Sequence, residues 1–318
     1  DISSFYLVDC HFMAKDYDYV IKQGEKLYPQ MPEARQKYLS RMLSESFMVK
    51  GDAVSARKYL TTGGKMSNSD FFHAGSVLYA VGDYRGAIQN FEKMGQLRDS
   101  LFQIASYQKA YSYIKIKNKV KAMESFKDAS LLSFDENIEE DAMFNYAKLS
   151  FDLNGDETAF NAYISKYGTS KKGELIYDYL AMSALLKRDY ERAVLAYDQI
   201  EELSADQKSN YIKANFLRAK KLLDIGAYAT AIPYLKASAY YLGKDDEFGQ
   251  LCRYELANTY YITDDYKDAL TIYNDLYNLS ALDTRDEGAL VSYNIAYCFF
   301  KQSDYANASR WFDIYVSS

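Results

Sequence analysis

The residue types that ordinarily carry chemistry are few in this chain and badly spaced for it. Histidine occurs twice, at His11 and His73, too far apart in sequence for a local metal or nucleophilic site. His73 stands two residues before Gly75 in a helical pattern and reads as a surface or packing residue rather than a catalytic base. Cys10, Cys252 and Cys298 are odd in number and show no paired spacing; Cys252 and Cys298 lie in helical patterns, where a free thiol acts as a small apolar filler. Residues 168–173 read Gly-Thr-Ser-Lys-Lys-Gly, superficially a phosphate loop. Glu174 follows instead of Lys and Ser/Thr, and no strand precedes, so the stretch reads as a connection. The acidic runs Glu139-Glu140-Asp141 and Asp245-Asp246-Glu247 precede helical patterns, where carboxylates favour the positive helix end. Lys115, Lys117, Lys119 and Lys121 bracket a turn and read as a solvated edge, with an acidic partner as the lesser alternative. No catalytic residue, metal ligand or cofactor is therefore expected, and the chain is expected not to be an enzyme.

What the sequence does contain is a recurring skeleton that must position whatever surface the protein uses. It is plainest at 81–94, where Gly82-Asp83-Tyr84 is followed by Ala87 and, four residues on, Phe91. The small residue recurs at Ala56, Ala87, Ala122, Ala159, Ala193, Ala231, Ala269 and Ala308, with spacings of 31 to 39 residues. Twelve positions upstream of each stands a second small residue: Ser44, Gly75, Ala110, Ala147, Ala181, Ala219, Ala257 and Ala296. Two antiparallel helices joined by a short turn approach to roughly 8–10 Å when small side chains occupy the contact. Each copy is thus read as helix A with the upstream residue, a Gly/Asp-Tyr turn, and helix B with the anchor. The first copy, at Asp16-Tyr17 and Val20, is degenerate, with Gly24 in place of the aromatic.

Composition agrees with a soluble helical array. The chain has 318 residues, 48% hydrophobic and 26% charged, with three prolines and 33 tyrosines. A net charge of −6 without a basic stripe argues against nucleic acid, whose binding is dominated by phosphate neutralisation. No apolar run approaches the roughly 20 residues that span a bilayer. Tyrosine, apolar in body and polar at its tip, suits half-buried surfaces and contact surfaces.

On these residues the chain resembles the tetratricopeptide repeat family, whose period is near 34 residues. The frame implies one continuous solenoid over 1–318, with repeats 1–36, 37–67, 68–102, 103–139, 140–173, 174–211, 212–249, 250–288 and 289–318. Lys109 and Arg218 depart from it, falling where helix A usually carries an apolar residue. Pro233 falls in a helix B; with Thr230 as N-cap it would lie in the first turn, where its missing donor is harmless. The last copy lacks a polar capping helix, which suggests a piece of a longer protein.

The resemblance implies an all-α, right-handed superhelix of about nine hairpins whose helices A line a concave groove at repeat positions 2, 5, 9 and 12. Candidate partner-binding residues are Tyr107, Tyr111, Phe144, Lys148, Phe216, Lys220, Tyr254, Asn258, Tyr261, Tyr293 and Tyr297. The Lys/Asn carboxylate clamp of chaperone-binding members is not reproduced, because Tyr254 stands where Asn258 would need a second clamp residue. The expected function is a non-enzymatic scaffold that binds a peptide or helix of a protein partner. A glycan-binding module and a regulatory segment of a larger enzyme are the alternatives. In style the chain resembles periplasmic or outer-membrane-associated repeat proteins of Gram-negative bacteria, with a cytoplasmic site as the alternative.

Overall fold

A computed structural model describes residues 2–60, 65–95, 97–168, 170–279 and 285–317. Among the described residues there are helices and no strand. The chain forms two compact units, Asp1–Gly168 and Thr169–Ser318.

In the first unit the helices are α1 (Ile2–Met13), α2 (Tyr17–Leu27), α3 (Glu33–Val49), α4 (Ala53–Lys58), α5 (Asn68–Ala80), α6 (Tyr84–Phe91), α7 (Ser100–Lys115), α8 (Lys119–Ser130), α9 (Glu136–Asn154) and α10 (Thr158–Tyr167). The second unit contains α11 (Lys171–Leu186), α12 (Tyr190–Tyr197), α13 (Ala205–Asp224), α14 (Tyr228–Tyr240), α15 (Glu247–Ile262), α16 (Tyr266–Asn278), the single turn α17 (Asp286–Ala289), α18 (Val291–Lys301) and α19 (Tyr305–Ser317). Consecutive helices pair as hairpins, five in the first unit and four in the second among the described residues.

One turn chemistry closes all nine hairpins. A left-handed residue stands at Lys15, Gly51, Gly82, Lys117, Gly155, Arg188, Gly226, Asp264 and Ser303, one per hairpin. An Asp or Asn usually follows as the N-cap: Asp83 accepts from the Gly86 amide at 3.0 Å, and Asp189 from the Arg192 amide at 3.2 Å. The next tyrosine then packs edge-on to an aromatic near the end of the preceding helix. The pairs are Tyr17 on Phe12, Tyr84 on Tyr79, Tyr266 on Tyr261 and Tyr305 on Phe300, at 5.5 to 6.2 Å.

All eight pairs of small residues are buried. The partner of Gly75, however, is the ring of Phe91: a Cβ at Gly75 would lie 2.5 Å from Phe91 Cε1. Gly24 makes comparable room for Leu43 of the following helix, at 2.8 Å. This explains the missing aromatic in the first copy. Arg218 is accommodated by an ion pair with Glu191 at 2.8 Å and by the face of Tyr234, so it bridges two helices where an apolar residue would have packed.

α13 starts directly after Ser204, its N-cap, which forms a reciprocal capping box with Gln207. Pro233 is inside α14, because Ala227 and not Thr230 is the N-cap.

Candidate functional site

In the first unit, the first helices of successive hairpins meet side by side, α1 with α3, α5 with α7 and α7 with α9. They form a wall, with Tyr107 and Tyr111 on α7 and Phe144 and Lys148 on α9. Tyr107 and Tyr111 lie there with ring centroids 5.0 Å apart. Their hydroxyls both donate to one oxygen of Asp141, at 2.7 and 2.8 Å, and the Asn145 amide donates to the same oxygen at 2.9 Å. Burial, and then the Asp141 carboxylate, push both phenols above their ordinary range. These tyrosines tie α7 to α9 as well as facing outward. Phe144 packs against Tyr163 at 5.9 Å, and Lys148 is half-buried and engaged with its surroundings.

The second unit divides its candidates more sharply. Tyr254 belongs to the core: it is 6% exposed, its ring lies 6.1 Å from that of Tyr273, and its hydroxyl accepts from Asn294 Nδ2 at 3.3 Å. Asn258 is held by the Tyr273 hydroxyl, and Lys220 by Glu255 at 3.0 Å. Tyr261, Tyr293 and Tyr297 remain half-exposed. They form a ladder in which Tyr297 stands 6.2 Å from Tyr261 and 5.2 Å from Tyr293. Phe216 packs against Phe248 at 5.0 Å.

A further groove lies elsewhere, between α1 and α3. It has a volume of about 420 Å³ and is lined by Phe5, Phe12, Met13, Arg35, Tyr38 and Met42, with Asp9 and Arg41 also on its walls. Tyr38 and Met13 are 69% and 75% exposed, so the groove opens to solvent. Arg35 is positioned over the Phe5 ring at 5.9 Å. Arg41 is held by Glu45 at 2.9 Å and Ser69 at 3.0 Å. Positions 2, 5 and 9 of the repeat frame, applied to the first two copies, fall on Ile2, Phe5, Asp9, Tyr38, Arg41 and Glu45, four of which line the groove. The repeat frame thus reaches this groove, although the first copy is degenerate.

Burial raises the thiols of Cys252 and Cys298 to about 12, which keeps them protonated and unreactive at neutral pH. Among the described residues no cluster of three or more His, Cys, Asp or Glu could hold a metal ion. No helix among them is long and apolar enough to cross a membrane.

The fold-determining features converge: paired buried small residues at fixed spacing, one left-handed turn residue per hairpin, and first helices stacked beside one another. The repeat is tetratricopeptide-like. No known family model matches the chain, and no curated protein matches it. Among solved structures, these tetratricopeptide-like hairpins are similar to the C-terminal part of a TPR repeat-containing protein from Cytophaga hutchinsonii. That likeness has 16% identity over 78% of this chain and 98% of the other, with a TM-score of 0.46. The apo form of the quorum sensor NprR from B. thuringiensis is similar at 12% identity, over 99% of this chain and 97% of that one, with a TM-score of 0.36. The TPR2AB domain of yeast Sti1, in a pHSP90 complex, is similar at 14% identity over 93% of this chain and 99% of that one, with a TM-score of 0.37.

Proposed function

We propose that the chain is a non-enzymatic protein-interaction scaffold that holds a peptide or helix of a partner against its first-helix walls. The groove between α1 and α3 is its principal anchor site. The observation that carries this reading is the combination in that groove of an apolar floor from Phe5, Phe12 and Met42 with exposed, amphipathic walls from Tyr38 and Met13. Apolar pockets of a few hundred Å³ with a small number of polar groups are the usual form of a recognition site. Aromatic side chains supply contact area with little rotamer entropy to lose. The ladder Tyr261-Tyr293-Tyr297 offers a second, shallower surface of the same character.

Selection of a displayed random peptide library on the full chain tests this. Selected peptides should share a bulky apolar anchor and lose binding to Tyr38→Ala/Met13→Ala. Loss confined to Tyr261→Ala/Tyr297→Ala would move the principal site to the second unit, and failure to select any common motif would refute peptide recognition.

A further inference from the structure

Arg41 belongs to two places at once. It stands on the wall of the α1–α3 groove, and it also borders, with Asp70 and His73, a small cavity of about 20 Å³. Its guanidinium is tied to the α5 side: Nη2 donates to Ser69 Oγ at 3.0 Å and Nη1 pairs with Asp70 at 3.5 Å. Nε donates to Glu45 of its own helix at 2.9 Å. The hold on α5 is loose, because the Asp70 contact is long for a hydrogen bond and the Arg41 side chain is 46% exposed.

His73 sits among the same carboxylates. Asp70 is three residues before it on one face of α5, and its Nε2 lies 2.8 Å from the Oγ of Ser44, the neighbour of Glu45 on α3. The charged groups that act on it are Glu45 and Arg41 from α3 and Asp70 from α5. Tyr59, Leu60 and Met66 complete the cavity wall, and burial pushes the Tyr59 phenol up to about 12, so it stays neutral. Burial also favours the neutral imidazole. At neutral pH Arg41 is therefore the one cation of this group.

The groove holds a carboxylate of its own. Asp9 of α1 lies on its wall, and among the described residues no ion pair engages it. Arg35 stands over the Phe5 ring and marks the level of α3 beside that turn of α1. Asp9 is four residues past Phe5 and Arg41 six past Arg35, about 6 and about 9 Å along two first helices that run in the same direction. An arginine side chain spans that difference.

We infer that protonating His73 transfers Arg41 from α5 to Asp9, strapping the α1–α3 groove shut in acid. Nε2 is engaged with Ser44, so the added proton goes to Nδ1. A second cation beside Glu45 and Asp70 then weakens the attraction each offers Arg41 and adds a repulsion. The guanidinium finds Asp9 on the groove side, and pairing there joins α1 to α3 over the floor of Phe5, Phe12 and Met42. The strap regulates the anchor site proposed above, and as regulation it rests on that reading.

The test follows the full chain by NMR with isotope-labelled methionine methyl groups. It reads Met13 and Met42 in the groove, and the His73 ring, from about pH 7.5 to about pH 5, above the range of ordinary carboxylates. Both methyl signals should shift with the midpoint of His73, and should stay still in His73→Gln. In Asp9→Asn the shift should be lost and the His73 midpoint should fall, because the pairing that favours the protonated form is gone. In Arg41→Gln the shift should also be lost, with the His73 midpoint raised by removal of a neighbouring cation. His11, the other imidazole, is held by Asp16 and stacked on Tyr19, so His11→Gln should behave as the parent. The inference is overturned if the methyl signals stay still while His73 titrates, if they shift alike in Asp9→Asn or His73→Gln, or if His11→Gln abolishes the shift. Peptides selected on the chain should bind about fivefold or more weakly at about pH 5.5 than at about pH 7.5, and equal affinity overturns the regulation. Failure to select any peptide refutes the scaffold reading alone, since the methyl titration needs no ligand.

Discussion

His73 Nε2 lies 2.8 Å from Ser44 Oγ, and the Ser44 hydroxyl itself donates to the Ala56 carbonyl at 2.9 Å. A hydroxyl has one proton to give, so the histidine must be the donor to Ser44 and carries its proton on Nε2. The chain of bonds runs from α5 through α3 to α4, joining two hairpins at the small residue that lets α3 and α4 approach. Burial is the main influence on His73 and lowers its pKa from 6.5; Arg41 acts the same way, while Glu45 and Asp70 oppose them. The native state therefore binds fewer protons than the unfolded state just below pH 6.5, and stability must fall as pH falls through that range. Thermal unfolding at about pH 7.5 and about pH 5.5 should show a larger loss in the parent than in His73→Gln. Equal losses would mean that acid sensitivity arises elsewhere.

Asp141 offers a second measurable relationship, because one of its oxygens accepts from Tyr107, Tyr111 and Asn145. Asp141→Ala strands two half-buried phenols, whereas Tyr107→Phe removes a single donor and leaves the carboxylate with others. The expected losses are about 2–3 kcal/mol for the first and about 1 kcal/mol for the second. Asn145 keeps its bond to the backbone carbonyl of residue 141 at 2.8 Å, so the helix itself should persist. Denaturant unfolding of the two variants decides the matter. If they prove equally stable, the network is ornamental and the tyrosines are free to serve a ligand.

These two cases mark where sequence reading succeeded and where it stopped. The buried pairs such as Ala110 with Ala122, and Ala257 with Ala269, were legible because close helix approach leaves a residue-type signature at fixed spacing. The fate of a large side chain on the helix-A wall was not. Tyr254 occupies the same repeat position as Tyr107 and Tyr293, yet only Tyr254 is enclosed, by Asn294 of the next hairpin and Tyr273 of its own. Enclosure depends on how closely the neighbouring helix is seated, a property of two elements that no single-copy pattern encodes. The α1–α3 groove was not legible for the converse reason: Gly24 breaks the local pattern, while the room it makes is for Leu43 of another helix.

The left-handed turn residue can be tested by exchange in both directions. Gly82 has φ of +82°, and a Cβ there would meet nothing within 4 Å. Gly82→Ala should therefore cost about 1 kcal/mol through the backbone alone. Lys117, at φ of 63°, carries that strain already. Lys117→Gly should gain up to about 1 kcal/mol, less the entropy returned to the unfolded chain. Urea midpoints moving in opposite directions would bear this out, and a loss in Lys117→Gly would show that its side chain contributes more than its backbone costs.

The hairpin made by α13 and α14 is the one whose start contradicts its own chemistry. Its turn closes with the Ala227 amide donating to the Leu222 carbonyl at 2.8 Å, just as the Asp83 amide donates to Leu78 at 2.9 Å in the α5–α6 hairpin. The hairpin geometry thus sets the N-cap at Ala227, although alanine has no oxygen to cap with and no side-chain cap is present. Starting there places Pro233 well past the first turn, where it has no amide for the Ala229 carbonyl. Ala227→Asp should restore the cap and stabilise by about 1 kcal/mol, and Pro233→Ala should stabilise by up to about 3 kcal/mol. The two act on different bonds of α14, so their effects should add in the double variant. Thermal unfolding that shows no gain from Ala227→Asp would mean the turn leaves no room for the side-chain cap that an Asp or Asn supplies in seven of the other hairpins.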